Sequence, residues 1–217
     1  GEFVTVPQDV NDFAMFVQQC FDRIVLVEKL AETRSLTGFS RINPPPHREF
    51  DQQDQHQLSL RRQSWLPAVR VYGEGIFLRF KDDAVERWVC PEVVSRYEGM
   101  LEIHQKIFSQ LNRTPRDLPP RFFMLHTLAH ILIRRLSFEC GYGSSALRER
   151  LYCWNKSGKE MSGLLIYTAA GDSEGTMGGL VQQGKPGRLE SLLIGAIHDA
   201  RWCSSDPLCI ESRGQGT

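Results

Sequence analysis

Leu147-Arg148-Glu149-Arg150-Leu151-Tyr152-Cys153-Trp154, followed by Asn155-Lys156-Ser157-Gly158 and then by the apolar run Met161 to Ala169, is the stretch that decides the fold class. The first segment alternates apolar and polar residues, the period of a strand with one wet face. The four residues after it carry turn chemistry. The third segment is apolar on both sides, so it reads as a buried strand, and the whole predicts a β-hairpin. Just upstream the period is different. Pro119-Pro120 opens a helix in which Phe122, Leu125, Ala129, Leu132 and Leu136 form one seam while Phe123 and Ile133 form another. A helix that is apolar nearly all round belongs at the centre of a core. Downstream, Gly171 to Gly179 is a glycine-rich loop. Pro186 then starts a last helix with Leu189, Leu192, Leu193, Ala196, Ile197 and Ala200 on one face, ended by Trp202 and Cys203.

Toward the N-terminus, Asn11 or Asp12 can cap a long helix in which Phe13, Phe16, Val17, Cys20, Phe21, Ile24, Val27 and Ala31 recur at helical spacing until Gly38. Asn43 to Gln57, with Pro44-Pro45-Pro46 and a Gln/Asp/His tract, lacks the apolar content to order itself and reads as a flexible loop. Val69, Val71, Ile76, Leu78 and Phe80 then alternate as a strand around Gly73 and Gly75, and Lys81-Asp82-Asp83 reads as a turn. Pro91 opens a further helix whose buried face would carry Val94, Tyr97, Leu101, Ile107, Phe108 and Leu111. The expectation is an α+β fold, helices packed around a small, mostly antiparallel sheet. It divides into a helical and strand part at 1–118, holding the flexible 43–57 loop, and a second part at 119–217.

The chain has 26 basic and 26 acidic residues, so no global field draws it to nucleic acid and any such contact must come from a local patch. At 41% hydrophobic and 24% charged the composition is that of an ordinary globular chain. No stretch has the roughly 20 uninterrupted apolar residues of a membrane span. The six cysteines are scattered and several sit beside core-like hydrophobes, which suits reduced thiols in a cytoplasmic setting.

Four groups of residues bear on chemistry. His126 and His130 lie four apart on the central helix, the spacing by which a helix grips a metal. The residue after His126 is Thr127, however, so the glutamate of a zincin is missing, and without a third ligand the pair reads as half-buried core histidines. The loop Asp172-Ser173-Glu174-Gly175-Thr176-Met177-Gly178-Gly179 stands where backbone amides can cradle an anion, yet no Gly-Lys-Ser/Thr follows. Its glycines read as a tight turn, and Asp172 with Glu174 form at most a carboxylate pair for a cation. Cys203 and Cys209, separated by a turn containing Asp206 and Pro207, can face one tetrahedral ion; the plain alternative is two unremarkable thiols or an adventitious disulfide. Arg134, Arg135, Arg148 and Arg150 flank the central helix and the hairpin as a candidate phosphate stripe, without the aromatic interleaving of a single-strand platform.

Leu125-His126-Thr127-Leu128-Ala129-His130, Leu136 to Tyr142, Leu147 to Arg150, Leu165 to Ala170, the Asp172 to Gly179 loop and Cys203 to Cys209 together resemble the DrmB family of the bacterial DISARM antiphage defence system. Leu36 to Phe39, Trp65-Leu66-Pro67 and Gly73 to Leu78 extend the resemblance toward the N-terminus. It implies a C-terminal MrfA-type zinc-binding domain, incomplete here, with Cys203 and Cys209 as the first two zinc ligands of a set that the family finishes with further cysteines. It also implies a non-catalytic accessory subunit that scaffolds a DrmA-like helicase and assists its engagement of DNA, away from any membrane. The rival expectation is a metal-dependent enzyme acting on DNA or nucleotide through His126, His130, Asp172 and Glu174.

Overall fold

Strand propensity and alternation place the hairpin where its sequence predicts. β4 (Leu147–Lys156) and β5 (Lys159–Thr168) pair antiparallel, with Leu151 opposite Leu164 and Trp154 opposite Met161. The computed structural model describes residues 3–39, 58–59, 61, 63–110, 118–143, 146–156, 159–168 and 179–201. The flexible loop expected at 43–57 lies outside them.

β5 pairs on its other side with β3 (Ala68–Phe80), setting Ile76 opposite Ile166 and Leu78 opposite Leu164. β3 pairs in turn with β2 (Phe21–Ser35), and β2 with β1 (Val4–Gln8). Among the described residues the result is a five-stranded sheet in the order β1-β2-β3-β5-β4, in which every pairing is antiparallel, with β1 and β4 outermost. The fold is α+β, as expected. Because β3 comes from residues 1–118 and β5 from 119–217, the two parts of the chain share one sheet.

The helices are a single 3₁₀ turn (Val10–Asp12), α1 (Met15–Cys20), α2 (Asp82–Trp88), α3 (Pro91–Gln110), α4 (Pro120–Cys140), α5 (Gly179–Gln183) and α6 (Arg188–Ala200). α4 has a proline in its first turn and ends on Gly141, whose φ of 70° is the left-handed conformation in which glycine carries no Cβ penalty. Its residues Leu125, Ala129, Leu132 and Leu136 are fully buried. Leu125, Leu132 and Leu136 pack with Leu189, Leu192, Leu193 and Ala196 of α6 against Ile24, Ile76, Leu78, Leu164 and Ile166 of the sheet. Each such leucine contributes about 1.5–3 kcal/mol relative to exposure, so this layer is the main source of stability. At the turn between α5 and α6 the backbone comes so close to the sheet that a Cβ on Gly184 would lie 2.4 Å from Leu26 Cδ2. A larger residue there would push the Leu26 and Ile76 side chains aside.

Three local expectations change. The long helix from Asn11 to Gly38 is instead the short α1 followed directly by the 15-residue β2. Phe13, Val17, Phe21 and Ile24 do bury at helical spacing, but from Ile24 onward Val25, Leu26 and Val27 form a run rich in β-branched residues, and pairing with both β1 and β3 outweighs helix propensity. Lys81-Asp82-Asp83 is not a turn but the start of α2, where Asp82 and Asp83 complement the positive end of the helix dipole. α3 exists as expected, yet none of its residues is buried.

Candidate metal centre

A helical residue one position after a buried one is rotated by about 100° around the axis. His126 and His130 follow Leu125 and Ala129 in this way, so they lie on the flank of α4 rather than in its buried stripe. That flank faces the edge strand β4. In β4 the residues turned toward the helical side are Leu147, Glu149, Leu151 and Cys153, the first buried and Leu151 and Cys153 packed on the core. Glu149 is the one ionisable carboxylate in that row, and it meets the two imidazoles.

His126 Nε2 is 3.0 Å from His130 Nε2 and 3.2 Å from Glu149 Oε1, while His130 Nε2 is 3.9 Å from the same oxygen. An Nε2 has a single in-plane direction for its lone pair or hydrogen, so His126 cannot bond both partners at once without a shared cation. A tetrahedral ion with bonds of about 2.0–2.1 Å holds its ligands roughly 3.3 Å apart. The three distances bracket that value. Glu149 Oε2 is buried without a hydrogen-bond partner, a position that costs free energy unless a cation or donor meets the carboxylate. The Phe122 ring stacks on His126 with centroids 5.6 Å apart and planes 16° apart, fixing that imidazole's plane. Two imidazoles and a carboxylate are a borderline donor set that fits zinc, with the exposed His130 side leaving a coordination position open. These residues therefore fit a divalent metal, and three protein ligands plus an open position suit binding of water or a phosphate oxygen.

The histidine pair was legible from its spacing; Glu149 was not, although the odd positions of the alternating stretch 147–153 already marked it as the acidic residue on the helix-facing side. Glu74 was missed as well. It is a buried carboxylate on β3 whose Oε1 accepts hydrogen bonds from the Tyr142 hydroxyl at 3.1 Å and from the Leu180 amide at 2.9 Å, and whose Oε2 accepts from the Val181 amide at 3.5 Å. It ties the end of α4 and the start of α5 to the sheet. Burial, together with the Glu74 charge, pushes the Tyr142 phenol up to about 12. The signal for Glu74 was a charged residue at a core-facing register between two glycines.

Of the other expected site residues, Cys203 and Cys209 lie outside the described residues, as do Asp172, Glu174, Gly175 and Gly178. Gly179 is the first residue of α5, directly before the amides that bond Glu74. The four arginines separate into two groups. Arg134 is exposed on α4, and Arg135 is engaged by Glu139 at 2.7 Å and Asp199 at 2.9 Å, which joins α4 to α6. Arg148 and Arg150 are exposed on the opposite face of the sheet, flanking Glu149 in sequence but not in space. Cys140 and Cys153 are half-buried free thiols, and burial raises both above the ordinary thiol range, which makes them poor nucleophiles. Among the described residues no helix is long and apolar enough to cross a membrane.

Residues 128–214 match the family model of the MrfA Zn-binding domain. Over 216 residues, 96% of this chain, the sequence is 36% identical to the DISARM protein DrmB of Bacillus paralicheniformis. The chain spans 36% of that relative's length. His130 and Glu149 fall inside the matched zinc-binding segment and His126 just before it.

Proposed function

From the premise that the chain is DrmB-like along nearly its whole length, we propose that it serves as a non-catalytic accessory subunit of a bacterial DISARM-type antiphage defence complex. In this reading it docks on a DrmA-like helicase in the cytoplasm and helps that partner hold DNA. The observation that carries it is collinear identity over 96% of the chain, which takes in the sheet, α4 and α6 alike and not merely one motif. Zinc belongs to the reading through the match to a zinc-binding domain. Cys203 and Cys209 are its proposed thiolate ligands, and His126, His130 and Glu149 hold a separate ion.

The two sites have different roles. A thiolate site closes around its metal and adds folding free energy outright. The ion at His126, His130 and Glu149 would fasten the flank of α4 to β4, against which α4 also packs through apolar residues. The test is co-purification of the tagged protein with its helicase, with metal content measured on the complex. Expected are co-elution, bound zinc, and a fall in zinc content on Cys203→Ser and on His126→Ala. Absence of co-elution would overturn the accessory role.

A second reading is favoured by one observation, the meeting of His126, His130 and Glu149 with an open coordination position. When bound there, a metal would supply Lewis acidity toward a phosphate oxygen or water. The residues' own part would be to orient that ion: Phe122 keeps the His126 plane fixed, and the Glu149 carboxylate offsets its charge. Assays with Zn²⁺, Mn²⁺ and Mg²⁺ on DNA and nucleotides decide it. Hydrolysis that disappears in Glu149→Gln, with the fold intact, would replace the accessory reading by an enzymatic one.

A further inference from the structure

The sheet has a second face, and its composition differs from the first. The residues turned toward the helices (Ile24, Ile76, Leu78, Leu164 and Ile166 among them) belong to the hydrophobic core cluster. Those alternating with them point the other way, and the pairing register aligns them in rows across the strands. Arg148 lies beside Tyr167, Arg150 beside Leu165 and Phe77, and Tyr152 beside Gly163 and Arg79. Neighbouring strands are about 4.8 Å apart, so arginines and aromatic rings from three strands form one contiguous patch.

Within this patch the Phe77 ring lies over Gly163, where a Cβ would come within 3.2 Å of it, and meets Tyr152 edge-on with centroids 5.6 Å apart. The Arg150 guanidinium sits 5.8 Å from the Tyr152 ring centroid. Arg148 and Arg150 are exposed, and Phe77, Tyr152 and Tyr167 are each only partly covered. Among the described residues two acids meet Arg34, Arg79 and Arg148, with Arg150 beside them: Asp22 lies 3.6 Å from Arg79, and Glu32, 2.6 Å from Arg34, also accepts from the Tyr167 hydroxyl and faces the charge of Arg148. Positive charge on the β4 edge is therefore in surplus. Partly exposed rings beside arginines on a sheet are what single-stranded nucleic acid needs, since every base has a face to stack and every phosphate a charge to meet. A duplex offers no free base faces to such a surface.

We propose that this second face of the sheet is a platform for single-stranded nucleic acid, with bases stacked on Tyr152, Tyr167 and Phe77 and phosphates held by Arg148 and Arg150. The proposal rests on the reading that the protein helps hold DNA, and it specifies which form of DNA and which face.

Fluorescence anisotropy on the full-length protein, with labelled oligo-dT of about fifteen nucleotides and a duplex of equal length, provides the test. The single strand binds about tenfold or more tightly than the duplex. The double substitution Arg148→Ala/Arg150→Ala weakens binding about tenfold and lowers the logarithmic salt slope by about 1.4, two phosphates at roughly 0.7 each. Tyr152→Leu weakens binding about fivefold or more, whereas Tyr152→Phe leaves it unchanged. Because Tyr152 also packs on Phe77, photocrosslinking of iododeoxyuridine oligonucleotides to the unsubstituted protein is the companion measurement, expected to label Tyr152 or Tyr167. Equal affinity for duplex, or binding that survives these changes and is lost on Arg134→Ala, overturns the platform and leaves DNA engagement standing elsewhere. If the protein binds no DNA of either form, both readings fall.

Discussion

α3 and α4 are 20 and 21 residues long, both begin at a proline, and both carry an apolar stripe at helical spacing. α4 nevertheless buries Leu125, Ala129, Leu132 and Leu136 completely, while α3 buries nothing. The difference lies in what each meets. α4 packs against α6 on one side and the sheet on another, so its stripe is enclosed. α3 meets the region of α4 through Tyr97, whose hydroxyl donates to the Leu118 carbonyl at 2.6 Å and whose ring meets Phe123 edge-on at 5.7 Å. An amphipathic pattern thus specifies that a helix has an apolar face, but not how deeply that face is buried.

The contrast can be broken at several points. Leu132→Ala removes a fully buried side chain from the α4 seam and should destabilise by about 2–5 kcal/mol in urea unfolding. A value below 1 kcal/mol would mean that α4 is not the core helix described. In a Cys203→Ser background, which removes the proposed thiolate site, zinc at about 100 times its Kd should raise unfolding free energy by about 2.7 kcal/mol by tightening α4 onto β4, and Glu149→Gln should cancel the gain. Zinc stabilisation that persists in both Glu149→Gln and His126→Ala would assign the metal elsewhere. Tyr97→Phe, which deletes the hydrogen bond tethering α3, should cost about 0.5–1.5 kcal/mol, read from the shift in urea midpoint. Leu101→Ala on the α3 stripe should change stability by less than about 0.5 kcal/mol in the isolated protein. A loss like that of Leu132→Ala would show that α3 is enclosed after all.

The smallest effect is one of pH at the end of α4. The folded chain holds the Tyr142 proton up to about 12, above the phenol's ordinary 10.0. Between those values the folded state binds more protons than the unfolded one, so this contribution is intact below pH 10 and is lost as pH rises through about 12. Tyr142→Phe should flatten the alkaline limb of the stability profile relative to the parent protein. An unchanged limb would mean that the hydroxyl is not held by Glu74.

Much of this was legible beforehand. The hairpin β4–β5 follows from strict alternation, and α4 and α6 from helical period with a proline near each start, because these signals need only neighbours in sequence. The sequence of β2 reads as helix because Phe13 through Ile24 satisfies a helical spacing that the true α1–β2 junction happens to share. What overrides that spacing is hydrogen bonding to β1 and β3, strands supplied by other parts of the chain. At the candidate centre the i, i+4 histidines were visible, but the carboxylate that meets them lies 19 residues beyond His130 on a different kind of element. The arginine stripe shows the same limit. Arg148 and Arg150 were visible without aromatic companions, since Phe77 and Tyr167 reach them across strands rather than along the sequence.

The sequence by itself determined the α+β class, the central helix, the hairpin and the histidine pair, because side-chain period and capping are properties of a local segment. Only the tertiary structure decided that Glu149 completes a three-ligand cluster, that Arg148 and Arg150 stand apart from Arg134 and Arg135, and that α4 is enclosed while α3 is not. Those outcomes depend on which strand lies next to which and on which face of the sheet the helices cover. Such choices are made by long-range pairing and burial, and no local pattern encodes them.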